Sequence, residues 1–256
     1  MARSLLILLA LVVLSSVSCS ERPECPEYPT TLRPLQDEIL EALRADFYAE
    51  NPRICSLLNE YGFTDHFCIR RVGIPERVDT AAFISRARAT IVANARYTGV
   101  ADPCWLSEIS HFYLDDTYVQ IDFASQAYAG LEVVGSFISV LMDSLGVFSI
   151  NGHYFPYILV PPEPLVAAAE AQESILRLTI TYSDWHGDLH TFVIAADSFL
   201  ADPTKAVLRH QEGDAIELRV AWRVPVGPAG EPHAWWDVYV DTMDGEMLWI
   251  HPLFAI

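Results

Sequence analysis

Basic residues are scarce in this chain, and Lys205 is its only lysine. With 16 basic residues against 34 acidic ones, the formal charge is -18. Such a surface repels phosphate backbones and anionic lipid headgroups, which disfavours nucleic acid and anionic membrane surfaces as partners. Long apolar runs are also missing. Leu5 to Leu14 is unbroken but falls short of the about 20 residues that a spanning helix needs, and no later segment reaches that length. There is no C-x-x-C pair of the kind that holds zinc, no G-x-S-x-G nucleophile elbow and no phosphate-cradling glycine loop. What remains is rich in core-forming residues. Hydrophobic residues make up 52% and charged residues 20%, a composition able to bury a sizeable core.

The N-terminus has the layout of an export signal. Arg3 supplies a positive head, Leu5 to Leu14 an apolar stretch, and Ser15, Ser16 and Ser18 the small residues before a cleavage site. Cys19, directly after Ser18, points to a lipoprotein signal in residues 1–19, with a lipid at Cys19 as the only membrane attachment expected. Ser16 stands where such signals usually carry an apolar residue, so ordinary secretion is the alternative. Either way the protein is expected to be exported, to the cell envelope or beyond it. Four cysteines then remain: Cys25, Cys55, Cys68 and Cys104. An even number in an exported chain predicts two disulfides, with three connectivities open. Full pairing must send one of the first three to Cys104, and Cys55 with Cys68 is the preferred local pair.

Residues 20–78 read as helical and irregular. Pro34 followed by Leu35, Ile39, Leu40, Leu43 and Phe47 gives one amphipathic face, and a short second helix is expected at Leu57 and Leu58. Asp79 caps a helix through Phe83, Ile84, Ala87, Ile91, Val92 and Ala95 that ends before Gly99. From His111 the pattern turns to strands: Tyr113 to Phe123, Val133 to Met142 and Val147 to Ile150, with turns at Tyr128-Ala-Gly130 and Asn151-Gly152. Past Pro161, Pro162 and Pro164, a helix through Leu165, Ala168, Ala169, Ile175 and Leu176 precedes further strands. Those strands are expected at Leu178 to Tyr182, Phe192 to Ala195, Ile216 to Val226, Trp235 to Val240 and Glu246 to Ile250. The predicted class is α+β, with two antiparallel sheets each packed by helices.

Two stretches carry a family resemblance. In residues 126–156, Gln126, Tyr128, Gly130, Val133, Asp143, Gly146, Val147, Gly152 and Pro156 fall where the FTP segment of thermolysin and fungalysin precursors has its Q-x-Y-x-G and D-x-x-G-x-V pattern. In residues 218–248, Trp222, Arg223, Val224, Trp236, Tyr239, Val240, Asp241, Gly245 and Glu246 resemble the end of a PepSY domain. The resemblance covers roughly residues 79–252 and implies an FTP-like domain at 79–160 followed by a PepSY-like domain at 161–256. Residues 20–78 have no counterpart, Ser183 to His210 is longer than a plain PepSY linker, and no peptidase domain follows before Ile256.

In that family the region inhibits, and helps to fold, an attached metallopeptidase. The resemblance therefore implies a non-catalytic, propeptide-like protein whose partner is a thermolysin-type metallopeptidase, with His251-Pro-Leu-Phe254 as the segment that covers a cleft. The alternative is an envelope structural or binding module that keeps the fold without a peptidase partner. Strand alternation puts Trp235 and Trp236 on opposite faces; the partner contacts expected are Trp235, Trp249, His251 and Phe254. Catalytic, metal and cofactor readings are weak. His186-Gly-Asp-Leu-His190 lacks the glutamate of H-E-x-x-H, and the pairs Asp115/Asp116 and Asp241/Asp244 lack the density of a calcium loop. Cys104 as a nucleophile fits an exported even set poorly.

Overall fold

The computed structural model describes residues 30–51, 56–72, 79–100, 103–106, 108–114, 118–143, 145–155, 165–183, 186, 188–228 and 234–253. It is mixed α+β and mostly β. Two compact units make up the chain: residues 32–158 with 206–209 form one, and residues 1–31, 159–205 and 210–256 the other.

The unit of residues 32–158 is built on a five-stranded antiparallel sheet. In chain order its strands are β2 (His66–Val72), β3 (Ile109–Leu114), β4 (Val119–Phe123), β7 (Ile138–Asp143) and β8 (Gly146–Asn151), and their spatial order is β2-β8-β7-β4-β3. A short hairpin of β5 (Ala127–Tyr128) and β6 (Leu131–Glu132) lies between β4 and β7 in sequence. The helices α1 (Asp37–Glu50), α2 (Thr80–Ala93) and α3 (Ala95–Thr98) and a 3-10 turn at Pro103–Leu106 share the core with the sheet. Phe47 of α1, Ile91 of α2, Tyr97 of α3 and Leu106 meet Phe67, Ile121, Phe123, Val140 and Ile150 there. Phe47 makes the aromatic junction, edge-on to Tyr97 at 4.7 Å and tilted against Phe67 at 5.7 Å between ring centres. The Asp79 carboxylate accepts the Ala82 N–H at 2.8 Å and so starts α2, and Gly99 at φ +69° closes α3.

Three expectations change here. The stretch expected to be helical and irregular contributes strand β2: Phe67 and Ile69 alternate inward, and Phe67 lies opposite Ile150 of β8. Among the described side chains only two inward apolar positions mark that period, too few to stand out in the sequence. Leu57 and Leu58 form no helix; Leu57 bridges His66 while Leu58 enters the core, so two adjacent leucines face opposite ways. The long strand expected from Val133 to Met142 is also divided. Val133 makes an isolated bridge, Gly135 takes φ +77°, and β7 begins only at Ile138.

The second unit centres on the sheet β1-β12-β13-β14, with β11 also paired to β12. The sheet's strands are β1 (Thr31–Leu32), β11 (Thr204–Glu212), β12 (Ala215–Val226), β13 (Trp236–Asp241) and β14 (Met247–Pro252), of which Leu32 and residues 206–209 count with the first unit. The hairpin β9 (Thr179–Ser183) and β10 (Leu189–Val193) and the helix α4 (Ala168–Ser174) complete it. The core joins Ala171 and Ile175 to Ile180, Phe192, Val224, Trp236, Val238 and Val240. Trp236 anchors it, stacked on Phe192 at 5.6 Å and met edge-on by Tyr182 at 5.0 Å. The helix expected from Leu165 is shorter. The Glu170 carboxylate accepts the Ala167 N–H at 2.8 Å, so α4 starts after Ala167 and Leu165 stays exposed.

Candidate functional site

The residues of the C-terminal motif build the hairpin between β13 and β14. Asp241 is fully buried; one carboxylate oxygen accepts the Met243 N–H at 2.7 Å, and the Asp241 N–H donates to the Glu246 carbonyl at 2.8 Å. The Glu246 N–H donates to the Asp244 carboxylate at 2.8 Å, and Gly245 closes the turn at φ +78°. Thr242 gives both its N–H and its hydroxyl to the Val220 carbonyl, at 3.0 and 2.9 Å. Its own carbonyl accepts from the N–H groups of Leu165 and Val166, each at 2.9 Å. The turn thus locks β12, β13 and the segment before α4 to one another.

Arg219 on β12 is buried in the same place. Its guanidinium donates to Glu217 through two nitrogens, at 2.8 and 2.5 Å, and to the second Asp241 oxygen at 3.4 Å. Glu212 and Glu246 stand at 3.9 and 4.0 Å on the exposed rim. A buried arginine and a buried aspartate hold each other, with Glu217 only 12% exposed beside them. The sequence reading missed this cluster. The signal was Glu217 and Arg219 two apart on a strand, which shares one face, with Asp241 at the end of the neighbouring strand.

Beyond the turn the hairpin turns an aromatic face outward. Trp249 is 42% exposed, and alternation carries His251 to the same face; Met247, also exposed, lies across a register shift that sets it against Val240. Trp249 stacks on buried Tyr239 at 5.6 Å and 20°, in the register that pairs the two residues across the strands. The His251 ring lies 4.6 Å from Trp249. Trp235, before β13, is 40% exposed while its neighbour Trp236 is buried; the Trp235 carbonyl accepts the Leu253 N–H at 2.8 Å. Gly227 sits beneath Trp235, where an added Cβ would come within 2.5 Å of the indole. The structure therefore brings Trp249 and His251 together and sets Trp235 where the Leu253 backbone leaves β14.

In the other unit the motif residues also act on the backbone. Gln126 is buried, and its amide pairs with both backbone groups of Phe155, donating to the carbonyl at 2.7 Å and accepting the N–H at 2.9 Å. Ala129 and Gly130, both at positive φ, make the β5–β6 turn, and the Asp143 carboxylate accepts the Leu145 N–H at 2.8 Å. Gly152 takes φ +82°, and a Cβ there would lie 2.1 Å from the Phe137 carbonyl oxygen. Beside it the His153 ring stacks on Phe63 and donates to the Asp65 carboxylate at 2.9 Å. That hydrogen bond, opposed by desolvation and helped by the charges of His153 and Arg209, holds the Asp65 carboxyl below its ordinary range. Burial pushes the hydroxyls of Tyr97 and Tyr154 up to about 12.

Of the cysteines, Cys68 is disulfide-bonded, while Cys104 is an exposed thiol on the 3-10 turn, so the second disulfide expected there is not formed. Cys19, Cys25 and Cys55 lie outside the described residues, as do Asp115, Asp116, Pro156 and Phe254. His190 stacks on Tyr182 at 5.4 Å; among the described residues no three His, Cys, Asp or Glu side chains are grouped to hold a metal ion. No helix among the described residues is long and apolar enough to cross a membrane.

No family model matches the chain, and no curated protein does. Among solved structures, it is similar to the C-terminal domain of YpeB from Bacillus megaterium. The identity is 8% and the TM-score 0.37, over 87% of this chain and 100% of that one.

Proposed function

We propose that the protein is an exported, non-catalytic, propeptide-like module that binds a thermolysin-type metallopeptidase and inhibits it or assists its folding. The finer architecture belongs to the same proposal, with an FTP-like unit preceding a PepSY-like one. The observation that carries the reading is the last hairpin. A rigid turn, fixed by Asp241, Thr242 and Arg219, supports a strand that turns Trp249 outward and delivers the chain beyond Leu253 from beside Trp235. A strand held in this way is suited to guide the following segment into a cleft, and a peptidase cleft takes an extended chain.

Inhibition assays with purified protein and thermolysin-type peptidases test this. The expected result is inhibition that is lost when residues 253–256 are removed and weakened by Trp249→Ala. Full-length protein that neither inhibits nor accelerates refolding of any such peptidase removes the reading and leaves the envelope binding module. Export and lipidation at Cys19 complete the proposal; radiolabelled palmitate should enter the wild-type chain and not Cys19→Ala. The local disulfide Cys55–Cys68 belongs to it as well.

A further inference from the structure

The geometry points to β14 as an edge that takes up an extended, basic peptide segment by strand addition. Strand β14 ends the sheet order, and among the described residues no strand lies on its far side. Its open backbone groups follow from its register. The Leu253 N–H donates to the Trp235 carbonyl, so that pair is hydrogen-bonded. Hydrogen-bonded and open pairs alternate along an antiparallel ladder. Asp237 with His251 and Tyr239 with Trp249 are then bonded pairs, while Ile250 and Pro252 direct their backbone groups away from β13. Pro252, which has no N–H, sits where no donor is needed inward. The free edge offers the N–H and carbonyl of Ile250 and the carbonyl of Pro252.

Edge strands are usually protected by charge, above all by lysine. Strand β14, Met-Leu-Trp-Ile-His-Pro, carries neither lysine nor arginine, nor any carboxylate. Pro252 guards only its end, which limits an added strand to a short one. The surroundings choose the sign of the guest. Residues 234–253 hold no lysine or arginine, and of their four carboxylates Asp237 and Asp241 are buried. Asp244 and Glu246 are exposed at the start of β14. A chain of net charge -18 repels a second copy of itself and attracts a cationic segment. Trp249 refines the choice. An added strand places alternate side chains beside its exposed ring, where a lysine or arginine gains a cation–π contact. The guest is therefore an extended segment with basic residues at every second position and apolar ones between, the latter facing the side of Ile250.

This inference concerns the strand discussed above but does not depend on a peptidase partner. Peptide binding without inhibition would keep it and remove the other reading. The test uses the full chain and a short fluorescent peptide of alternating arginine and valine, read by anisotropy. Two comparison peptides decide the mode: the same sequence with alternate amides N-methylated, and one with glutamate replacing arginine. We expect the N-methylated peptide to bind roughly tenfold more weakly or worse, since it keeps the charge and loses the ladder. The glutamate peptide should not bind, and Trp249→Ala and Ile250→Pro should each weaken the arginine peptide. Equal binding of the methylated peptide, or no effect of Trp249→Ala, overturns the proposal. So does sedimentation showing a dimer that must dissociate before peptide binds, which would assign the edge to a second copy.

Discussion

Removing Arg219 should cost far more than a surface charge does. Arg219→Leu leaves the Asp241 carboxylate fully buried and Glu217 nearly so, with their common cation gone. Breaking a buried pair from one side costs about 3–5 kcal/mol, against about 0–1 kcal/mol for an exposed one. For a domain of about 60–100 residues each kcal/mol moves the midpoint by about 4–8 °C, so the unit should melt roughly 12–40 °C lower. Asp241→Asn should cost less. The amide keeps an oxygen for the Met243 N–H, and Arg219 retains Glu217. The double variant should then fall short of the sum by about 1–3 kcal/mol, because removing the second charge relieves the first defect.

With two units in the chain, a single unfolding curve is a poor measure. Hydrogen exchange of the β12 and β13 peptides, followed by mass spectrometry, reports the affected sheet directly. The expected pattern is loss of protection there in Arg219→Leu, with the β7 and β8 peptides unchanged. A cost below about 1 kcal/mol, or additivity within about 0.5 kcal/mol, would refute the reasoning and show the cluster to be solvent-screened.

Gly152→Ala should destabilise the other unit by several kcal/mol, since it combines φ +82° with a Cβ at 2.1 Å from a backbone oxygen; a variant with unchanged urea midpoint would contradict that geometry. Asp65 should give an acid-side signature: its carboxyl titrates below 3.8 in the folded protein, so its stabilisation is present above that value and is lost as pH falls through the depressed one. Urea midpoints of wild type and Asp65→Asn should therefore converge toward low pH, and a gap constant with pH would count against the His153 contact. Peptide mapping without reductant should recover Cys55 joined to Cys68, and Cys68→Ser should cost about 3 kcal/mol, as for a loop of about 15 residues; a Cys68 peptide joined elsewhere would displace the local pairing.

Legibility in the sequence followed the range of the forces involved. Asp79 announced α2 because capping acts within one turn, and Ala129-Gly130 announced its hairpin because a turn needs positive φ locally. Strands β12 and β13 stood out because their apolar residues are many and closely spaced. Strand β11 did not: its buried residues Ala206, Val207 and Leu208 are consecutive, so no period of two appears. Strand β2 was hidden because Phe67 and Ile69 alone, among its described side chains, mark an inward apolar period. The ion cluster was illegible for a different reason. Nothing local says that Arg219 will be buried; only the register of β12 with β13, which sets Ala221 against Asp241, brings them together.

The motif residues themselves bear on how far a resemblance can carry function. Asp241 and Gly245 make a turn, Gln126 pairs with the backbone of Phe155, and Gly152 clears the Phe137 carbonyl. All of these contacts are internal and hold the backbone in place. A chain can preserve every one of them while its surface comes to serve a different partner, so such motifs specify architecture first. Residues that could recognise a partner lie between and after them, where no internal contact dictates their identity. Met247 and Trp249 are of this kind: both are exposed, although the indole also touches Tyr239 and His251. Replacing Met247 and Trp249 together should therefore leave the turn, the Arg219 cluster and the exchange protection of β12 intact while abolishing peptide uptake. A loss of protection in β12 alongside the loss of binding would show that this face is part of the scaffold.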